Sequence, residues 1–241
     1  MWHFQLLKES LFNKKHTFFS RKVLSLYKLA KKIQITEIEN LRKDLCKNKT
    51  KLKIHDYGAG KRFEIYKKQI RKLTVAQIYR TTATPPRWGN FLYLLIKEFD
   101  KHNVLELGTG LGISGAYILY GLKSSKSGFL TTIEGDKSIA EYAHKILNRI
   151  SPNFRVENQL FDEFIEHIPY DEKYDFLYID GNHSREATIK YFRALKKYLT
   201  EKAIIFFDDI NWSLGMFRAW QTVRIECSEF ITFFDSGICL L

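Results

Sequence analysis

The residues able to do chemistry in this 241-residue chain fall into two groups. In the first, Glu106 stands two positions before Gly108-Thr109-Gly110-Leu111-Gly112, and Glu134 ends an apolar run. In the second, Asp180-Gly181-Asn182-His183 and Asp208-Asp209 each end an apolar run of their own. A turn of alternating glycines lets the backbone approach a ligand closely. A carboxylate just before that turn suits an ammonium group and is awkward for a pyrophosphate. Glu134 can accept hydrogen bonds from both hydroxyls of a ribose. An imidazole such as His183 can take a hydroxyl proton near neutral pH. Asp208 and Asp209 could equally cap the next helix, and His183 could support a turn; both readings stand at this point.

These groups need a scaffold, and the hydropathy pattern supplies one. Apolar runs at 103–107, 129–133, 154–157, 174–179 and 203–207 read as strands, separated by helical patterns over about 113–122, 137–149, 185–198 and 213–224. Residues 230–234 and 237–241 read as a closing hairpin. Alternation of this kind means a mostly parallel sheet covered on both faces, with ligands beyond the carboxyl ends of the strands. Every group singled out above falls at such an end. A dinucleotide fingerprint would need a small residue at 113, where this chain has Ile113. Glycines, carboxylates and strand order together favour S-adenosylmethionine (SAM) over NAD.

Charge divides the chain. Residues 1–75 hold 20 Lys/Arg against 6 Asp/Glu, a net of +14; the remaining 19 and 21 give −2, returning the total of +12. Val23, Leu26, Tyr27, Ala30 and Ile33 recur at helical spacing among lysines. This predicts a basic, mainly helical extension over 1–81, set as a lid on the rest of the chain, and a ligand-binding domain over 82–241. Its lysines suit solvent better than nucleic acid or an anionic membrane, which are weighed and not favoured. The Gly-containing stretch Ile54 to Arg62 reads as a turn, with an anion-binding loop as the alternative. Three scattered cysteines argue against a disulfide framework or zinc cluster, and no apolar run is long enough to span a bilayer. With no leader-like apolar stretch near Met1, a cytoplasmic protein is expected.

Glu106 to Gly112, with Ile133-Glu134-Gly135, resembles the first two motifs of the class I SAM-dependent methyltransferases. Thr84 to Leu92, Tyr178 to Ser184 and Phe207 to Ile210 are most similar to the catechol and caffeoyl-CoA type of O-methyltransferase and their bacterial relatives. The resemblance implies an α/β, Rossmann-like, seven-stranded sheet of order 3-2-1-4-5-7-6 with the last strand antiparallel. It implies SAM-binding roles for Thr84, Glu106, Gly108, Thr109, Gly110, Gly112, Ser114, Glu134 and Asp180. It implies Mg²⁺ or another divalent cation on Asp180, Asp208 and Asp209, and a small hydroxylated acceptor as partner, with a homodimer left open. Those enzymes carry a lysine base three residues after the first metal-binding Asp. Here His183 takes that place, so Asp180 and His183 are the expected catalytic pair.

Overall fold

The computed structural model describes residues 17–55, 57, 70–125 and 127–241. Asp56 and residues 58–62 of the expected turn lie outside them. Strands β3 (Asn103–Leu107), β4 (Phe129–Ile133), β5 (Phe154–Glu157), β6 (Tyr174–Ile179), β7 (Leu199–Phe207), β8 (Glu229–Thr232) and β9 (Gly237–Leu240) form one sheet of order β5-β4-β3-β6-β7-β9-β8. Numbered from β3, this is 3-2-1-4-5-7-6. The pairs among β3 to β7 are parallel, and β9 runs antiparallel to β7 and β8.

The central strands are apolar on both faces because helices cover both. Val104, Leu105 and Leu107 are fully buried, and so is Glu106, the one ionisable group in that run. Helices α4 (Pro86–Glu98) and α5 (Ile113–Leu122) lie on one face, and α8 (Arg185–Leu195) and α9 (Leu214–Val223) on the other. Pro86 starts α4 where a missing N–H costs nothing.

The N-terminal elements are part of the core. Val23, Leu26 and Ala30 of α1 (Phe18–Ala30) and Ile38 and Leu41 of α2 (Thr36–Lys47) join the same apolar cluster as Phe91, Tyr117 and Phe206. Buried Asn90 donates to the carbonyls of Ala30 (3.1 Å) and Ile33 (2.7 Å), satisfying the open end of α1. A hairpin of β1 (Lys51–His55) and β2 (Ile70–Thr74) follows, with Lys51, Lys53 and Lys72 exposed and Ile54 buried. It was not foreseen in a segment that the sequence pattern presents as mainly helical. The hairpin docks on α6 (Lys137–Leu147): Ser138 donates to the Lys53 carbonyl (3.1 Å), and the His55 amide donates to Asp136 (2.6 Å). Helix α3 (Val75–Thr82) crosses the expected boundary at 81/82, and α7 (Phe161–Glu166) is a short addition. No described helix is long and apolar enough to cross a membrane.

Candidate active site

The loops after β3 and β4 build the first half of the site. In the glycine turn, Gly108 (φ +105°) packs so closely on the end of β6 that a Cβ would overlap the Asp180 carbonyl oxygen. Its glycine character therefore serves the junction between the two halves. Gly110 (φ +50°) is different: a Cβ there would meet nothing nearer than the Thr82 hydroxyl at 4.0 Å, so this position faces open space. Gly112 (φ +81°) turns the chain into α5 against Leu147.

Behind the turn, buried side chains form a relay. The Thr132 hydroxyl donates to Glu106 Oε2 (2.6 Å) and pairs with the Thr109 hydroxyl (2.6 Å). Ser114 also bonds the Glu106 carboxylate. Thr109 and Ser114 thus face inward and brace Glu106. Glu106 Oε1 has no hydrogen-bond partner among the described residues, although it is buried. An orphaned carboxylate oxygen there fits an incoming ammonium group. Glu134 is anchored by the amides of Gly110 (3.0 Å) and Asp136 (2.9 Å), which fix the carboxylate and leave lone pairs over for hydroxyls. Burial pushes Glu106 and Glu134 up to about 7 against bonds that favour their charged forms. Thr84 is buried, and its carbonyl accepts from Arg42 (2.7 Å); Thr82 is the neighbour that faces the glycine turn.

The loops after β6 and β7 build the second half. His183 Nε2 lies 3.8 Å from Asp180 Oδ1 and 3.8 Å from Asp209 Oδ2. The three side chains offer ligand atoms all within 4.8 Å of one another. The His183 ring rests tilted on Trp212, centroids 5.5 Å apart. Burial pushes the imidazole down, so it is held neutral, and pushes Asp180 well above the carboxylate range, with Asp208 and Asp209 adding repulsion. Asp209 is pushed up to about 7 by burial and by Asp208. Asn182 and Asp209 carry two of the four described non-glycine residues with positive φ, at 56° and 51°. Left-handed backbone of this kind is tolerated best by Asn and Asp.

Asp208 stands apart from this trio. Its Oδ2 accepts from the buried Tyr178 phenol (2.6 Å), and its Oδ1 from Ser236 (3.1 Å) and the Asp209 amide (2.9 Å). Three of about four acceptor positions are committed to the protein. Tyr178 also reaches Asp180 at 3.3 Å, a bridge the sequence pattern gives no sign of. Neither Asp208 nor Asp209 caps α9; Ser213 does, accepting from the Met216 amide (3.1 Å). Trp220 belongs to the core, donating to Thr232 (3.0 Å).

A family model described as "Methyltransferase domain" matches residues 105–210, which span the turn, both carboxylate clusters and the strands between them. A caffeoyl-CoA O-methyltransferase of Populus trichocarpa is 22% identical over 152 residues, covering 61% of this chain and 60% of that protein. A putative O-methyltransferase of a Mycobacterium strain is 34% identical over 104 residues, covering 42% and 46%. The chain thus spans about three-fifths of the length of the plant relatives it matches. Among solved structures, an O-methyltransferase from Bacillus cereus in complex with SAH superposes with a TM-score of 0.57 at 22% identity, covering 66% of this chain and 82% of that one. TomG from Streptomyces achromogenes, an O-methyltransferase in complex with SAM, gives 0.58 at 19% identity, covering 69% and 86%. At such identities the structural likeness speaks for the fold, which agrees with the sheet order above. Residues 105–210 thus match a methyltransferase domain, and the sheet around them has the fold of the O-methyltransferase structures to which the chain is similar.

Proposed function

We propose that this protein transfers a methyl group from SAM to an oxygen of a small hydroxylated acceptor. One observation carries the reading: Gly108 touches the Asp180 carbonyl, so the SAM-type half site and the Asp180–His183–Asp209 half site share one wall. When bound, SAM supplies an electrophilic methyl group; the residues here bind, orient and manage the proton. Glu106 meets the ammonium group with its unpartnered oxygen, and Glu134 meets the ribose hydroxyls. Gly108, Thr109, Gly110, Gly112 and Ser114 shape the turn between them, with Thr82 facing it and Thr84 two residues on, at the entry to α4. Beyond the wall, the Asp180–His183–Asp209 cluster offers groups that can take up the acceptor's hydroxyl proton as the C–O bond forms. Holding donor and acceptor in line supplies much of the rate.

The N-terminal segment is proposed to wall the acceptor side. Tyr27 of α1 contacts Trp88 (5.2 Å) and Phe233 (4.4 Å), and the Arg87 guanidinium lies 3.8 Å over its ring. Phe233 adjoins Ser236, which holds Asp208, so α1 reaches the second half site. A cytoplasmic location suits the unpaired cysteines. Incubating the protein with SAM and a panel of hydroxylated compounds, then scanning for a gain of one methyl mass, tests the reading. A methylated product that Asp180→Asn fails to make supports it. Turnover untouched by Asp180→Asn contradicts it.

A further inference from the structure

The pattern of related enzymes points to Asp180, Asp208 and Asp209 as a carboxylate shell for Mg²⁺. This structure fits that shell poorly. Asp208 is occupied by Tyr178, Ser236 and the Asp209 amide, and it is absent from the one cluster of metal-ligating groups among the described residues. His183 stands in its place. Its Nε2 is equidistant from an oxygen of Asp180 and one of Asp209, at a separation too long for hydrogen bonding. Two atoms bound to one ion at about 2.1 Å can lie up to about 4.2 Å apart, so 3.8 Å is a span one cation bridges. The other ring nitrogen, Nδ1, is buried without a partner among the described residues, so no hydrogen bond among them accounts for the ring's placement. Trp212 packs on the ring and holds it there.

Resting on the proposed function, and deepening it, we propose that Asp180, His183 and Asp209 form a divalent-cation site whose imidazole ligand shifts its preference from Mg²⁺ to a transition metal such as Co²⁺, Mn²⁺ or Zn²⁺. Oxygen-only shells suit Mg²⁺, whereas an imidazole nitrogen favours the later first-row ions. Asp208 then acts as a positioning residue: it holds Tyr178, and its amide-side oxygen fixes the Asp209 backbone in its left-handed turn.

The test is direct metal binding by the full chain stripped with a chelator, read by Co²⁺ visible absorption and by calorimetry with Co²⁺ and Mg²⁺. The expected result is one Co²⁺ bound at least about a hundredfold more tightly than Mg²⁺. His183→Ala and His183→Gln should each weaken Co²⁺ by about tenfold or more and change its spectrum, whereas Asp208→Asn should keep Co²⁺ affinity within about threefold. Melting curves identify any variant that has failed to fold, and the second His183 substitution then stands in for the first. Equal affinity for the two ions, binding of neither, Co²⁺ affinity indifferent to His183, or loss on Asp208→Asn alone would each overturn the proposal. SAM calorimetry on the same samples separates the two readings. Co²⁺ binding without SAM binding removes the methyltransferase function and leaves the cation site, and the reverse leaves the function without this site.

Discussion

The two carboxylate clusters at the sheet edge share a fold and differ in how the protein treats them. Around Glu106 and Glu134, amides and hydroxyls satisfy all but one oxygen, so the half site is built in advance. Around Asp180 and Asp209, the imidazole stops short of hydrogen-bond distance, two backbones adopt left-handed turns, and like charges face each other. The first half is held in place by the protein's own hydrogen bonds. The second is left incomplete, at a cost in stability, for groups that arrive from outside.

Substitutions in the two halves should therefore behave in opposite ways. Asp180→Asn replaces a carboxyl that burial already favours in its neutral form, so it should leave the thermal midpoint nearly unchanged while lowering turnover by roughly 10²–10³-fold, measured on the first acceptor identified. Gly108→Ala, at the shared wall, should destabilise the fold by about 3 kcal/mol in denaturant titrations, since neither the positive φ nor the Asp180 carbonyl can give way cheaply. Glu134→Gln should weaken SAM by roughly 10–100-fold in calorimetry with little change in stability, reflecting loss of charge-assisted bonds.

The pH dependence follows from Glu106, raised to about 7 by burial. The fold prefers it protonated, so this stability is fully present below the ordinary carboxylate range and is lost as pH rises through about 7. An ammonium-bearing ligand prefers it ionised. SAM affinity should thus rise by up to about tenfold per pH unit below pH 7 and level off above it, as calorimetry at stepped pH would show. Thr132→Val should have the smallest effect, a loss of about 1–2 kcal/mol in stability, because it strips one bond from a buried carboxylate.

Much of the cofactor half was legible in the sequence because its parts are local. Gly108 to Gly112 sit in one turn, and Glu106 and Glu134 lie at the ends of two apolar runs whose adjacency in the sheet was implied by the family resemblance. The second half depends on meetings that no spacing encodes. Tyr178 reaches Asp208 across the β6–β7 pair, and Ser236 arrives from the closing hairpin, so the hydrogen bonds that engage Asp208 were out of reach. His183 was legible as chemistry, but its approach to Asp209 requires two loops to converge. The β1–β2 hairpin did leave a signal. Leu52 and Ile54 alternate with Lys51 and Lys53, a period of two obscured by lysines, which strands usually disfavour.

The central claim is that the edge beside Glu106 and Glu134 holds a sulfonium nucleoside. Titrating SAM, and separately NAD, into the purified protein in a calorimeter tests it most directly. Saturable one-to-one heat with SAM, growing in affinity from pH 6 to pH 8, is the predicted result; silence with SAM and saturation with NAD would contradict the account.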